Sequence, residues 1–117
     1  MFSAAFIFEP GQYDERFHAL DALIESAARA NPGFLGRETW HSEDRTRVNA
    51  TYYWTDLASL KVFSSNPKHL EAKGQYQQWY KGFHIVISEV IRSYGDGGFE
   101  HFTPNSRAEK TNMRKHK

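Results

Sequence analysis

An α+β fold, a four-stranded antiparallel sheet with its helices on one face, follows from three observations. Short stretches of period two alternate with stretches of period three to four. They come in the order strand, helix, strand, strand, helix, strand, and only a polar turn separates the middle two strands. At 117 residues the chain is long enough for one domain with a real core and too short for two.

In Phe2 to Phe8, Phe2, Ala4, Phe6 and Phe8 alternate with Ser3, Ala5 and Ile7, which predicts a strand buried on both sides and ended by Pro10-Gly11. Tyr13, Phe17, Leu20, Leu23, Ile24, Ala27 and Ala28 form one apolar stripe, predicting a helix over Tyr13 to Ala30. Asp14 and Glu15 in its first turn and Arg29 in its last suit the helix dipole, and Asn31-Pro32-Gly33 stops it.

A second strand is expected over Phe34 to Ser42 and a third over Arg47 to Trp54, joined by the polar turn Glu43 to Thr46. On the third strand Val48, Ala50, Tyr52 and Trp54 share one face, and Asn49, Thr51 and Tyr53 the other. Thr55-Asp56 caps a short helix carrying Leu57, Leu60 and Phe63, and Asn66-Pro67 restarts a helical segment that Gly74 ends. Gln75 to Tyr80 is aromatic and amide-rich without a period.

The fourth strand is expected over Phe83 to Tyr94. Phe83, Ile85, Ile87, Glu89 and Ile91 make its core face; His84, Val86, Ser88, Val90, Arg92 and Tyr94 make a mixed face suited to a partner or cavity. Gly95 to Gly98 is a turn, and Phe99 to Thr103 is expected as a short extra strand. From Pro104 the chain is polar and basic and reads as a disordered tail, open to docking on a partner subunit. The division is therefore a domain over residues 1–95 and a C-terminal extension over 96–117.

This order is the split β-α-β, ferredoxin-like arrangement. It leaves one sheet face open, carrying Tyr53, Val86, Val90 and Tyr94, and a second copy of the sheet is the economical cover, so a homodimer is expected. The absence of cysteine excludes disulfides, thiolate metal sites and cysteine nucleophiles. A net charge of +1 offers no field to draw in nucleic acid or an anionic membrane. The opening stretch has no basic run and its apolar stretch stops at Glu9, so neither a signal peptide nor a membrane span is expected, and the cytoplasm is the default. Phe, Trp and Tyr make up 15% of the chain, enough for an aromatic core, an interface or an apolar ligand pocket.

Three segments carry a resemblance. Tyr53-Trp54-Thr55-Asp56-Leu57 resembles the strand-to-helix junction of the antibiotic biosynthesis monooxygenase family. Asn66-Pro67-Lys68-His69-Leu70-Glu71-Ala72 is similar to its Pro-x-His-x-x-Ala segment. Gln78-Trp79-Tyr80-Lys81-Gly82-Phe83, followed by a long apolar strand, is similar to its Trp-Tyr segment and last strand. The resemblance spans about residues 2 to 94. It implies the dimeric α/β barrel, in which two sheets pack face to face, and oxygenation of aromatic, quinol-like substrates, often without metal or flavin. Other members degrade haem, isomerise their substrates or have no known reaction, so fold is implied more strongly than chemistry.

A cofactor-free oxygenase needs a base to deprotonate a phenol and a partly dry pocket for a flat ring. The resemblance and the chemistry of imidazole together make His69 the candidate base. Tyr53, Phe63, Tyr76, Trp79 and Tyr80 are candidate pocket walls, and Asn49 or Arg92 a candidate oxyanion ligand. Each aromatic can equally be core or interface. His41, His84 and His101 have no diagnostic metal-site spacing, so no metal is expected. Haem ranks low: the haem-degrading relatives' Asn, Trp and axial His fall at Ala5 or Phe6, Phe63 and Lys73, and none matches. The leading expectation is thus a small oxygenase without a cofactor, acting on an aromatic or polyketide-like metabolite. A non-catalytic dimeric binding protein and a different enzyme on the same scaffold, such as an isomerase, are the alternatives.

Overall fold

A computed structural model describes residues 1–66 and 76–107. Strand β1 (Phe2–Pro10) leads into helix α1 (Glu15–Ala30), strands β2 (Phe34–His41) and β3 (Val48–Trp54), helix α2 (Leu57–Ser64), a single helical turn α3 (Tyr76–Trp79) and strand β4 (Tyr80–Glu89). The strands form one antiparallel sheet in the order β2-β3-β1-β4. This is the expected ferredoxin-like α+β arrangement. The helical segment expected from Pro67, with His69, lies outside the described residues.

Local chemistry sets the element ends. The Asp14 carboxylate accepts the Phe17 amide at 2.8 Å and starts α1; Asp56 does the same for Ser59 at 2.7 Å and starts α2. Asn31 closes α1: its side-chain oxygen accepts the Gly33 amide at 2.9 Å while its Nδ2 donates to the Ser59 carbonyl at 3.0 Å, tying α1 to α2. In the β2–β3 turn Asp44 accepts from the Ser42 hydroxyl and from both the amide and hydroxyl of Thr46. These bonds hold the exposed carboxyl down at about 2.

Pairing of Ala4 with Tyr52 and Ile87, and of Phe6 with Ala50 and Ile85, sorts the side chains. Even positions of β1 and β3 and odd positions of β4 face the helices. The core is Ala28, Trp54, Leu60 and Phe63, with Ala4, Ile24, Phe34 and Tyr52 packed around it. In β2 the register shifts between Phe34 and Gly36. This bulge turns Arg37 to the helix side, opposite Tyr52, and Glu38 to the open side.

Three expectations fail. Phe83, Ile85 and Ile87, taken as the core face of β4, are 42%, 42% and 51% exposed. β4 is an edge strand, and the described helices α1 and α2 pack over β2, β3 and β1 instead. β1 is half-buried along its length rather than buried on both sides, because no layer of described residues lies over its open face. Phe99–Thr103 forms no strand. Those residues sit at the tip of a loop closed at its base, where the Ser93 hydroxyl donates to the Pro104 carbonyl and the Asn105 side chain bonds both the amide and carbonyl of Gly95.

Candidate active site

The helix side of the sheet, beneath the start of α1, carries a continuous group of aromatic rings. β1 alternation supplies Phe6 and Phe8, and the Tyr80 ring meets them at 5.2 and 4.9 Å. The first turns of α1 bring Phe17, whose ring lies 5.4 Å from Trp79 and 6.0 Å from Tyr80 and stacks on Tyr13 at 3.9 Å. Gly11 makes the approach possible. Its amide donates to the Trp79 carbonyl at 2.7 Å, and a Cβ there would lie 2.9 Å from that oxygen. Trp79 is 1% exposed and, among the described residues, its indole N–H has no hydrogen-bond partner.

The helix side also carries a polar group. Arg37 donates to Glu25 at 2.9 Å, Glu25 also accepts from Arg29 at 2.9 Å, and the Arg37 guanidinium lies 5.2 Å from the centre of the Tyr52 ring. Burial pushes the Tyr52 phenol up to about 12 despite the opposing charge of Arg37. Burial first, then Tyr13, Asp21 and Tyr52, also raises the Tyr80 phenol. Both phenols therefore stay protonated near neutral pH and act as hydrogen-bond donors.

The open face carries a different cluster. The Tyr53 hydroxyl donates to Glu38 at 2.7 Å, and His101 Nε2 bonds the other Glu38 oxygen at 2.9 Å. His101 Nδ1 accepts the Thr103 amide at 3.2 Å, so Nε2 carries the proton given to Glu38. Burial would raise the Glu38 carboxyl, but the bonds from Tyr53 and His101 outweigh it and hold the group below its usual value. Burial and Glu38 together push the Tyr53 phenol up to about 12. Beside this cluster Phe102 seats on Gly36, where a Cβ would overlap the ring.

The candidate residues named from sequence are thus divided. Trp79 and Tyr80 join the helix-side rings, and Phe63 sits in the core at 4.9 Å from Trp54. Tyr53 and Asn49 are on the opposite face, and Asn49 accepts from Thr51 at 2.8 Å. Arg92 lies past the end of β4, over the Tyr94 ring at 4.9 Å. Tyr76 starts α3, and His69 is outside the described residues. Among the described residues no cluster of three His, Asp or Glu side chains could hold a metal. The helix side also carries Phe6, Phe8, Phe17, Arg37 and Tyr52, which sequence reasoning did not put forward as candidates. The first three were legible only as strand and helix stripes.

The fold has close counterparts among solved structures. SnoaB from Streptomyces nogalater, described as a cofactor-independent oxygenase, superposes with a TM-score of 0.63 at 14% identity, over 79% of this chain and 94% of that one. A putative antibiotic biosynthesis monooxygenase from Deinococcus radiodurans gives 0.61 at 15%, over 81% and 97%. One from Nitrosomonas europaea gives 0.60 at 14%, over 79% and 100%. At such identities the likeness is one of fold. No curated protein matches the sequence significantly. Residues 5–88 match the family described as Monooxygenase af470-like, which is most of the chain. The chain therefore belongs to the Monooxygenase af470-like family.

Proposed function

We propose that the protein is a small oxygenase that uses no metal or flavin, acts on an aromatic or polyketide-like metabolite and works as a homodimer. The observation that carries this is the helix-side aromatic group, in which the Tyr80 ring meets Phe6, Phe8 and Phe17 at 5.2, 4.9 and 6.0 Å and its phenol stays protonated. Family membership supports the reaction class, and the description of SnoaB supports the absence of a cofactor. A base takes the proton of a phenol whose keto form carries an acidic CH2 flanked by aromatic rings, leaving an anion shared between that oxygen and that carbon. The carbanion adds to dioxygen, the peroxide takes up a proton, and loss of water leaves a ketone. One CH2 and one O2 thus give one C=O and one H2O. His69 is the proposed base, on the segment that starts at Pro67.

The open face supports a dimer. Val86 is 40% and Trp40 64% exposed there, and no further element of the described chain covers them. Sedimentation should give two copies at micromolar concentration; a monomer contradicts this part.

The reaction is tested with 1,8-dihydroxyanthrone and protein dialysed against a chelator. Oxygen uptake matching quinone formation, unaffected by the chelator and lost in His69→Ala, is expected. Uptake that requires added flavin or metal contradicts the proposal, and tight binding without uptake replaces it with the non-catalytic binding protein.

A further inference from the structure

We propose that Arg37, assisted by the hydroxyls of Tyr52 and Tyr80, holds an ionised oxygen of the substrate, so that the aromatic ligand is bound as an anion. This rests on the helix-side site proposed above and adds the group that answers the ligand's charge.

The placement of Arg37 comes from the β2 bulge. Without the extra residue, strand alternation would put its side chain on the open face. With it, the side chain lies under α1, 28% exposed, with the guanidinium over Tyr52. Of its five N–H donors the bond to Glu25 uses one. Glu25 is itself divided between two guanidiniums, one oxygen to Arg37 and the other to Arg29. One carboxylate thus faces two cations, and Arg37 keeps charge and donors to offer.

The phenols point the same way. Among the described residues neither the Tyr52 nor the Tyr80 hydroxyl has a hydrogen-bond partner, although both side chains are half-buried. Tyr13, Asp21, Tyr52 and Arg37 all lie close enough to Tyr80 to act on its charge. Two acidic groups oppose an anion there: Glu25, whose charge is answered by Arg37 and Arg29, and Asp21, an exposed residue of α1 that acts on both phenols. Neutral phenols and a guanidinium together form an array of donors, complementary to a phenolate or enolate oxygen. Asn49 lies on the opposite face and Arg92 beyond the end of β4.

The test uses 1,8-dihydroxyanthraquinone, whose visible absorption reports ionisation, bound to the full-length protein. The bound probe should ionise about one pH unit lower than the free probe. Arg37→Met should abolish that shift while the probe still binds through the rings. Glu25→Gln, which frees Arg37 from its carboxylate, should enlarge the shift, and this variant keeps the test decisive if Arg37→Met fails to fold. A probe that binds the wild-type protein with its ionisation unchanged or raised overturns the anion site and leaves the aromatic site standing. A probe that does not bind the wild-type protein overturns both.

Discussion

Replacing Gly36 by alanine should unseat the C-terminal loop. The Cβ would be built 2.6 Å from Phe102 Cε1 and closer still to two other ring carbons, so the ring must leave. Gly36 also has a φ of 155°, at the edge of the range that favours glycine. Phe102 is 42% exposed in its seat, so little more than half its surface is covered. Full burial of a phenylalanine stabilises by roughly 1.5–3 kcal/mol, so losing this seat should cost about 1–1.5 kcal/mol. The part-exposed bond between His101 and Glu38 loosens with the ring and adds on the order of 0.5 kcal/mol. Urea unfolding should therefore show a loss of about 1.5–2 kcal/mol. Proteolysis between Ser93 and Arg107 should become faster. Phe102→Ala should cost about the same, and the double variant should cost no more than either alone, because both remove one contact. Stability within about 0.5 kcal/mol of wild type together with unchanged proteolysis would refute the seat.

Three further outcomes follow from local geometry. Glu38 is held below its ordinary value, so its contribution is present above the unfolded pKa and is lost as pH falls through the folded one. Acid unfolding below about pH 4 should be shallower in Glu38→Gln than in wild type, and identical acid profiles would deny the clasp a role. Phe63→Ala should cost about 3–4 kcal/mol in urea unfolding, since the ring is 6% exposed against Trp54; a loss under about 1 kcal/mol would contradict its core position. Arg45 turns the β2–β3 corner at a φ of 62°, so Arg45→Gly should stabilise by about 0.5–1 kcal/mol, read as a higher urea midpoint; a lower midpoint would contradict this.

The strands and helices were legible because their periods are local. Asp14, Asp56 and Asn31 announce their helix ends within a few residues. The partition of the site was not legible. Alternation shows that Tyr52 and Tyr53 point to opposite sides but not which side the helices cover. Arg37 reads as an ordinary strand cation until the bulge at Phe34–Gly36 reverses its face, and no single residue type announces a bulge. Phe83, Ile85 and Ile87 read as core because apolar alternation is blind to whether a strand is central or at an edge. The pairing of Glu38 with His101 spans 63 positions, beyond any local signal.

Whether the proposed aromatic ligand lies beneath α1 or on the open face is decided most directly by titrating 1,8-dihydroxyanthraquinone into three proteins: wild type, Tyr80→Ala and Tyr53→Phe. The Tyr80 ring contacts Phe6, Phe8 and Phe17 on the helix side, whereas Tyr53 contacts His101 and Glu38 on the other. A ligand stacked among the helix-side rings loses about 1–1.5 kcal/mol of aromatic contact with Tyr80, or roughly tenfold in Kd. Tyr80→Ala should therefore bind about tenfold more weakly, and Tyr53→Phe within about twofold of wild type. Tight binding by Tyr80→Ala with weakened binding by Tyr53→Phe would place the site on the open face and contradict the helix-side assignment.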